Sequence, residues 1–144
     1  SGECGTLAKP TELEDTATLL LRFAEGPLAT AETGWCDPAG TWMFRVHGTE
    51  GKISFDGDDP AGLTHWTPGS LTREDLPPVA HRVDASSASR GNAHDHWLAC
   101  IREGRHPELS HAWAARHVTE VMLAGLQSAR TGSRVTLRTR AEAP

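Results

Sequence analysis

The densest run of metal-ligating side chains in the chain is His94-Asp95-His96. Two histidines two residues apart share a face on a strand but diverge by about 200° on a helix, and the residues that follow read as a helix. A zinc site would also need an H-E-x-x-H pair or coupled cysteines, and the sequence has neither. Asp95 is therefore read as an acidic residue in a first helical turn, with the imidazoles lining a surface or a cleft. Cys36, in Gly34-Trp35-Cys36-Asp37, falls on a loop with no local feature that would lower a thiol pKa. There is no G-x-S-x-G elbow, and the scattered carboxylates single out no acid and base pair. No two glycines are separated by one residue, and Gly51-Lys52 is followed by Ile53. Both common phosphate-binding loops are thus missing, and Gly48-Thr49-Glu50-Gly51 reads as a turn between strands. Five tryptophans occur with no tyrosine. Trp42, Trp97 and Trp113 fall on apolar faces and are expected in a core. Trp35 and Trp66 fit no such face, and a Trp beside Asp37 could stack on a sugar or another planar ligand or simply pack.

These residues need a scaffold, and 144 residues are enough for one compact domain. With 38% hydrophobic and 23% charged residues the composition is that of a globular protein. No apolar run approaches the ~20 residues of a membrane span and no signal-peptide layout is present, so a cytoplasmic protein is expected. The net charge of −5 is spread without a basic block, which argues against nucleic acid as a partner. Three widely spaced cysteines are read as reduced, mostly structural thiols. The chain opens Ser1-Gly2 with no initiator Met, and a cloned or cleaved fragment is expected.

Alternation over 15–23 puts Ala17, Leu19, Leu21 and Phe23 on one strand face. Glu25-Gly26-Pro27 then turns the chain into a returning strand over 28–35. Trp42, Phe44 and Val46 alternate with Met43, Arg45 and His47, and Ile53 and Phe55 continue the apolar face beyond the next turn. Short strands are expected over 63–67 and 79–83, with irregular chain between 68 and 91. A helix follows Asn92 and stops at Gly104. A longer one runs from an N-cap at Ser110 to about Arg130, with Gly132 just past its end. Its inward stripe is Ala114, Val118, Val121, Met122, Gly125 and Ser128 or Ala129, small enough for a close approach. A last strand is expected over 134–137. The fold class is α+β, an open, mainly antiparallel sheet with helices packed on one face.

The order Glu14-Asp15-Thr16-Ala17-Thr18-Leu19-Leu20-Leu21-Arg22-Phe23, Gly26, and Gly48-Thr49-Glu50-Gly51 resembles the start of the C-terminal domain sheet in the Gfo/Idh/MocA oxidoreductases. Trp97-Leu98-Ala99-Cys100-Ile101-Arg102-Glu103-Gly104-Arg105-His106-Pro107 is similar to that family's F-x-x-x-I-x-x-G-x-x-P helix exit. The stretch 124–137 resembles its closing helix and strand. The similarity spans about residues 12–138. It implies a two-domain enzyme in which an N-terminal Rossmann domain binds NAD or NADP. A C-terminal α+β domain then shapes the pocket for a sugar, cyclitol or related hydroxyl compound and forms a homo-oligomer through its sheet.

On that resemblance residues 1–144 are a single substrate-binding and oligomerisation domain without its Rossmann partner, inactive alone, with no cofactor or metal site of its own. Ala8-Lys9-Pro10 echoes the family's E-K-P but lacks the acidic residue and precedes a sheet strand. The helix that carries the family's Asp/His pair has no room ahead of Glu14. No residue inherits a catalytic role. Trp35 and Trp42 are expected to stack on substrate, and Asp37, Arg90, Asn92 and His94 to hydrogen-bond its hydroxyls. The alternative is a stand-alone, non-catalytic interaction module that dimerises through the sheet.

Overall fold

The computed structural model describes residues 1–36, 42–57, 59, 62–67, 78–82, 92–107 and 111–141. The chain forms two compact units, one of Ser1–Pro38 with Ala93–Pro144 and one of Ala39–Asn92. The first holds strands β1 (Gly2–Gly5), β2 (Thr16–Arg22) and β3 (Leu28–Gly34), and helices α1 (Ala93–Glu103) and α2 (Ala112–Thr131). The second holds β4 (Met43–Gly48), β5 (Gly51–Asp56), β6 (Gly62–Trp66) and β7 (Val79–Arg82).

The α+β class and the antiparallel pairing agree with the sequence pattern, but the strands are divided between two sheets, β1-β2-β3 and β4-β5-β6-β7. In the first, Leu19 lies opposite Gly2 and Ala31, and burial alternates along β2 as its side-chain period demands. The turn at Gly26, φ +108°, closes the β2–β3 hairpin, with the Phe23 N–H donating to the Pro27 carbonyl at 3.0 Å. In the second sheet Phe44 faces Phe55 and Val46 faces Ile53, which confirms the apolar face read from alternation. Trp42 meets Phe55 edge-on, with ring centroids 4.9 Å apart.

Helix α2 packs on the first sheet through small residues. The Gly2 N–H donates to Ser128 Oγ at 3.0 Å, and Gly125 and Ser128 are the buried residues of the helix. A Cβ placed on Gly125 would sit 2.6 Å from Leu19 Cδ2, and one on Gly2 2.5 Å from the same atom. Leu19 is therefore held between two glycines, which accounts for a glycine in mid-helix. The helix ends at Gly132, φ 63°, whose N–H donates to the Ser128 carbonyl.

Four sequence expectations differ here. Strand β1 was not foreseen, because Gly-Glu-Cys-Gly has neither alternation nor length. The N-cap of α2 is His111, whose Nδ1 accepts from the Ala114 N–H at 3.2 Å; Ser110 lies outside the described residues. Val118 and Met122 are exposed, as are Trp42, Trp97 and Trp113 at 57, 52 and 42%: their faces are apolar by period, but nothing described in the chain covers them. Finally, 134–137 is not a strand. The chain just beyond is instead clasped by a side chain, since Glu120 accepts the Arg138 and Thr139 N–H groups at 2.8 Å each, and the Thr139 hydroxyl as well.

Those donors hold the Glu120 carboxyl at about 2, below its ordinary 4.5, the Thr139 hydroxyl contributing most. A lowered carboxylate pKa stabilises the fold above the unfolded value and loses that effect as pH falls through the folded one. Glu120→Gln is expected to speed amide exchange at Arg138 and Thr139, read by NMR, and its melting temperature should converge on that of the wild type between pH 4.5 and 2. Gly125→Ala should destabilise the chain by about 1 kcal/mol, overpacking outweighing the helix propensity of Ala. In denaturant titrations the double variant with Leu19→Ala should lose less than the sum of the single variants; strict additivity would show that the two residues do not meet.

Candidate functional site

Between β1 and β2 the chain makes a loop, residues 6–14, with no ladder to satisfy its backbone. Asp15, 1% exposed, does this from inside. Its Oδ1 accepts the Leu7 N–H at 2.9 Å, and its Oδ2 accepts those of Ala8 and Lys9 at 2.9 and 2.8 Å. The Thr16 hydroxyl donates to Oδ1 at 3.1 Å. Its backbone continues the sheet on both sides: the Asp15 N–H donates to the Gly5 carbonyl at 2.9 Å, and the Trp35 N–H donates to the Asp15 carbonyl at 3.1 Å. The three backbone donors, Leu7 first, hold the carboxyl well below the usual carboxylate range. A carboxylate so saturated is a poor general base, and its work is positional.

Beside this node opens a concavity of about 470 Å³, lined by Cys4, Glu14, Asp15, Trp35, Met122 and Leu126 among others. Its apolar lining includes Ala17, Leu19 and Leu126, while Glu14, Thr16 and Thr33 supply polar groups. Trp35 stands beside it, 59% exposed. Neither nearby thiol is activated. Burial, then the charges of Glu14 and Glu3, push Cys4 up, and Arg130 offsets part of this. Burial and then Asp15 push Cys36 up, whose Sγ lies 3.9 Å from the Asp15 carbonyl. The set can bind and orient a small molecule with one flat apolar face and hydroxyls at its edge. It offers no poised nucleophile among the described residues.

Of the described sequence-derived site residues, Trp35 alone lines this concavity. His94 is exposed in the first turn of α1, in the same unit. His96, also in that first turn, points to Cys100, with Nε2 and Sγ 3.7 Å apart. Trp42 and Asn92 belong to the other unit. Asp37 and Arg90 lie outside the described residues. No group of three or more His, Cys, Asp or Glu side chains that could hold a metal occurs among the described residues. Sequence reasoning missed Asp15 as an anchor. Its signal was a carboxylate immediately ahead of an alternating strand and after a polar, Pro-containing loop.

Comparison with known proteins assigns the family. The model of the GFO/IDH/MocA C-terminal domain matches residues 1–54, from β1 into β5. D-apiose dehydrogenase of Paraburkholderia graminis is 30% identical over 141 residues, 91% of this chain and 37% of that protein. The chain is a Gfo/Idh/MocA C-terminal domain. Its fold is shared with an oxidoreductase domain protein from Kribbella flavida, TM-score 0.69 at 19% identity, covering 92% of this chain and 42% of that one. It is also shared with the aldose-aldose oxidoreductase from Caulobacter crescentus complexed with glycerol, TM-score 0.72 at 21% identity, covering 94% and 40%. The Gfo/Idh/MocA domain thus spans well under half the length of these relatives.

The described residues of this Gfo/Idh/MocA domain include no Rossmann-type cradle for a nicotinamide dinucleotide. Such a cofactor sets its pyrophosphate at a glycine-rich turn between a parallel strand and a helix, whereas every described strand pair is antiparallel. The chemistry at Asp15 is open to direct test. Asp15→Asn is expected to lower the melting temperature at neutral pH, and the gap from wild type should close as pH falls below the ordinary value of 3.8 towards the depressed one. A gap independent of pH would mean that the charge on Asp15 does not hold the loop.

Proposed function

We propose that this domain is the substrate-side and oligomerisation part of an NAD(P)-dependent oxidoreductase acting on a sugar, cyclitol or related hydroxyl compound. On this reading residues 1–144 act together as one substrate-binding domain, in the cytoplasm, and the cofactor is held by an N-terminal Rossmann domain. The observation that carries the reading is the alignment with D-apiose dehydrogenase along 91% of the chain. The concavity beside Asp15 supports it, because Trp35 offers a stacking face and Glu14, Thr16 and Thr33 offer hydrogen-bonding groups. Phe44, Val46 and Val79, on one face of the second sheet and each about half exposed, support association through a sheet face. Asp37, Trp42, Arg90, Asn92 and His94 are proposed as further substrate contacts on the sequence pattern alone.

A nicotinamide held by the Rossmann domain would supply the hydride chemistry, and the part of this chain would be to bind and orient the sugar and to exclude water from its apolar face. No residue described here is given a proton-transfer role.

Calorimetry on this chain alone should detect no micromolar NAD or NADP binding, whereas the protein that joins it to a Rossmann domain should reduce the cofactor with an aldose or cyclitol. Trp35→Ala in that protein should raise KM about 2- to 10-fold, the worth of one stacking contact, with a smaller change in kcat. Micromolar cofactor binding by the isolated chain, or no turnover of any polyol by the joined protein, would overturn the reading.

A further inference from the structure

The face of the second sheet opposite Phe44, Val46 and Ile53 carries a basic array. The register sets His47 opposite Lys52 and Lys52 opposite Trp66; in the next row Arg45 lies opposite Ser54, and Ser54 opposite Thr64. Strand alternation puts all six side chains on one face. Lys52 is held in place, its Nζ 3.8 Å from the centre of the Trp66 ring. The close approach of β5 to β6 here depends on Gly51, φ +145°, where a Cβ would run into the Trp66 carbonyl oxygen.

This concentration of positive charge runs against the chain's net charge of −5. Among the described residues, Arg45, His47 and Lys52 take part in no ion pair. The nearest acidic side chain on this face in the register is Asp56, one row beyond Ser54 and opposite Met43. Directly opposed residues on a sheet have Cβ atoms about 4.5–5.5 Å apart and diagonal ones about 7–8 Å, and like charges near one another repel. Arg45 and Lys52 are such a diagonal pair, and Ser54 and Thr64 add neutral hydroxyl donors beside them. An arginine fork and a lysine point charge are the groups that recognise a multi-oxygen anion.

We infer that Arg45, His47 and Lys52 form an oxyanion-binding subsite that takes the phosphate or carboxylate group of a small molecule. The bound anion removes the Arg45–Lys52 repulsion, and the stacking of Lys52 on Trp66 reduces the ordering that binding requires. The subsite lies wholly in the second unit and is independent of the concavity beside Asp15.

The test is an amide NMR titration of this chain at low ionic strength with inorganic phosphate and, separately, sodium gluconate, each against sodium chloride of equal ionic strength. Saturable shifts centred on β4, β5 and β6, with midpoints on the order of millimolar, are expected. Arg45→Gln with Lys52→Gln should weaken them at least 10-fold, and Arg45→Lys should weaken them less. Saturation with phosphate alone identifies a phosphate ester as the natural group, and with gluconate alone a carboxylate. The inference is overturned if the shifts rise linearly as they do with chloride, or if they still saturate in the double variant. Should that variant lose its dispersed spectrum, Arg45→Gln alone serves, and unchanged binding there is equally fatal.

Discussion

A carboxylate placed inside a ring of backbone donors organises the first unit. The loop from Thr6 to Glu14 has no sheet partner, and unpaired N–H groups away from water are costly. Asp15 answers three of them with one side chain, while its own N–H and carbonyl remain in register with β1 and β3. The same residue therefore closes the loop, starts β2 and sets the edge of the concavity where Trp35 stands. No buried side-chain nitrogen or oxygen among the described residues lacks a partner, so this polar centre is fully satisfied, which is the condition for it to rigidify its surroundings.

Close approach is the second constraint. Helix α2 lies on β1 because Gly2, Gly125 and Ser128 are small where the two meet, and Leu19 fills the space between the glycines. Elsewhere the chain buries little: among the described residues Cys100 is the sole hydrophobic residue classed as buried, while Ile101 and Leu123 on the helices are more than 60% exposed. Exposed apolar faces of this extent are typical of interaction surfaces.

The concavity is chemically quiet for identifiable reasons. Asp15 is committed to backbone donors, and Cys4 and Cys36 are kept as thiols by burial and neighbouring carboxylates. A wall of this kind can contribute shape, stacking and hydrogen bonds, which is the share of the work that the proposed function gives to this domain, while the proposed anion subsite lies on the other sheet.

The sequence by itself determined the local elements. Period-two alternation marked β2, β4 and β5, because each has one apolar face, and the turn at Gly26-Pro27 marked the return into β3. Gly26, Gly104 and Gly132 marked their turns and helix ends, because each adopts positive φ. The resemblance carried by 14–23, 48–51 and 97–107 was enough to place the family. Tertiary structure alone decided what depends on partners distant in sequence. It divided the strands between two sheets and added β1, whose four residues carry no pattern and are held by pairing with β2 and by Ser128. It clasped the chain end to Glu120 in place of a last strand, since a carboxylate and two N–H groups eighteen and nineteen residues away leave no periodic trace. Among the site residues proposed from sequence it brought Trp35 to the concavity and set Trp42 and Asn92 in the other unit. It also gave Asp15 its role, because a residue's type shows that it can accept hydrogen bonds, and only the folded loop supplies the donors.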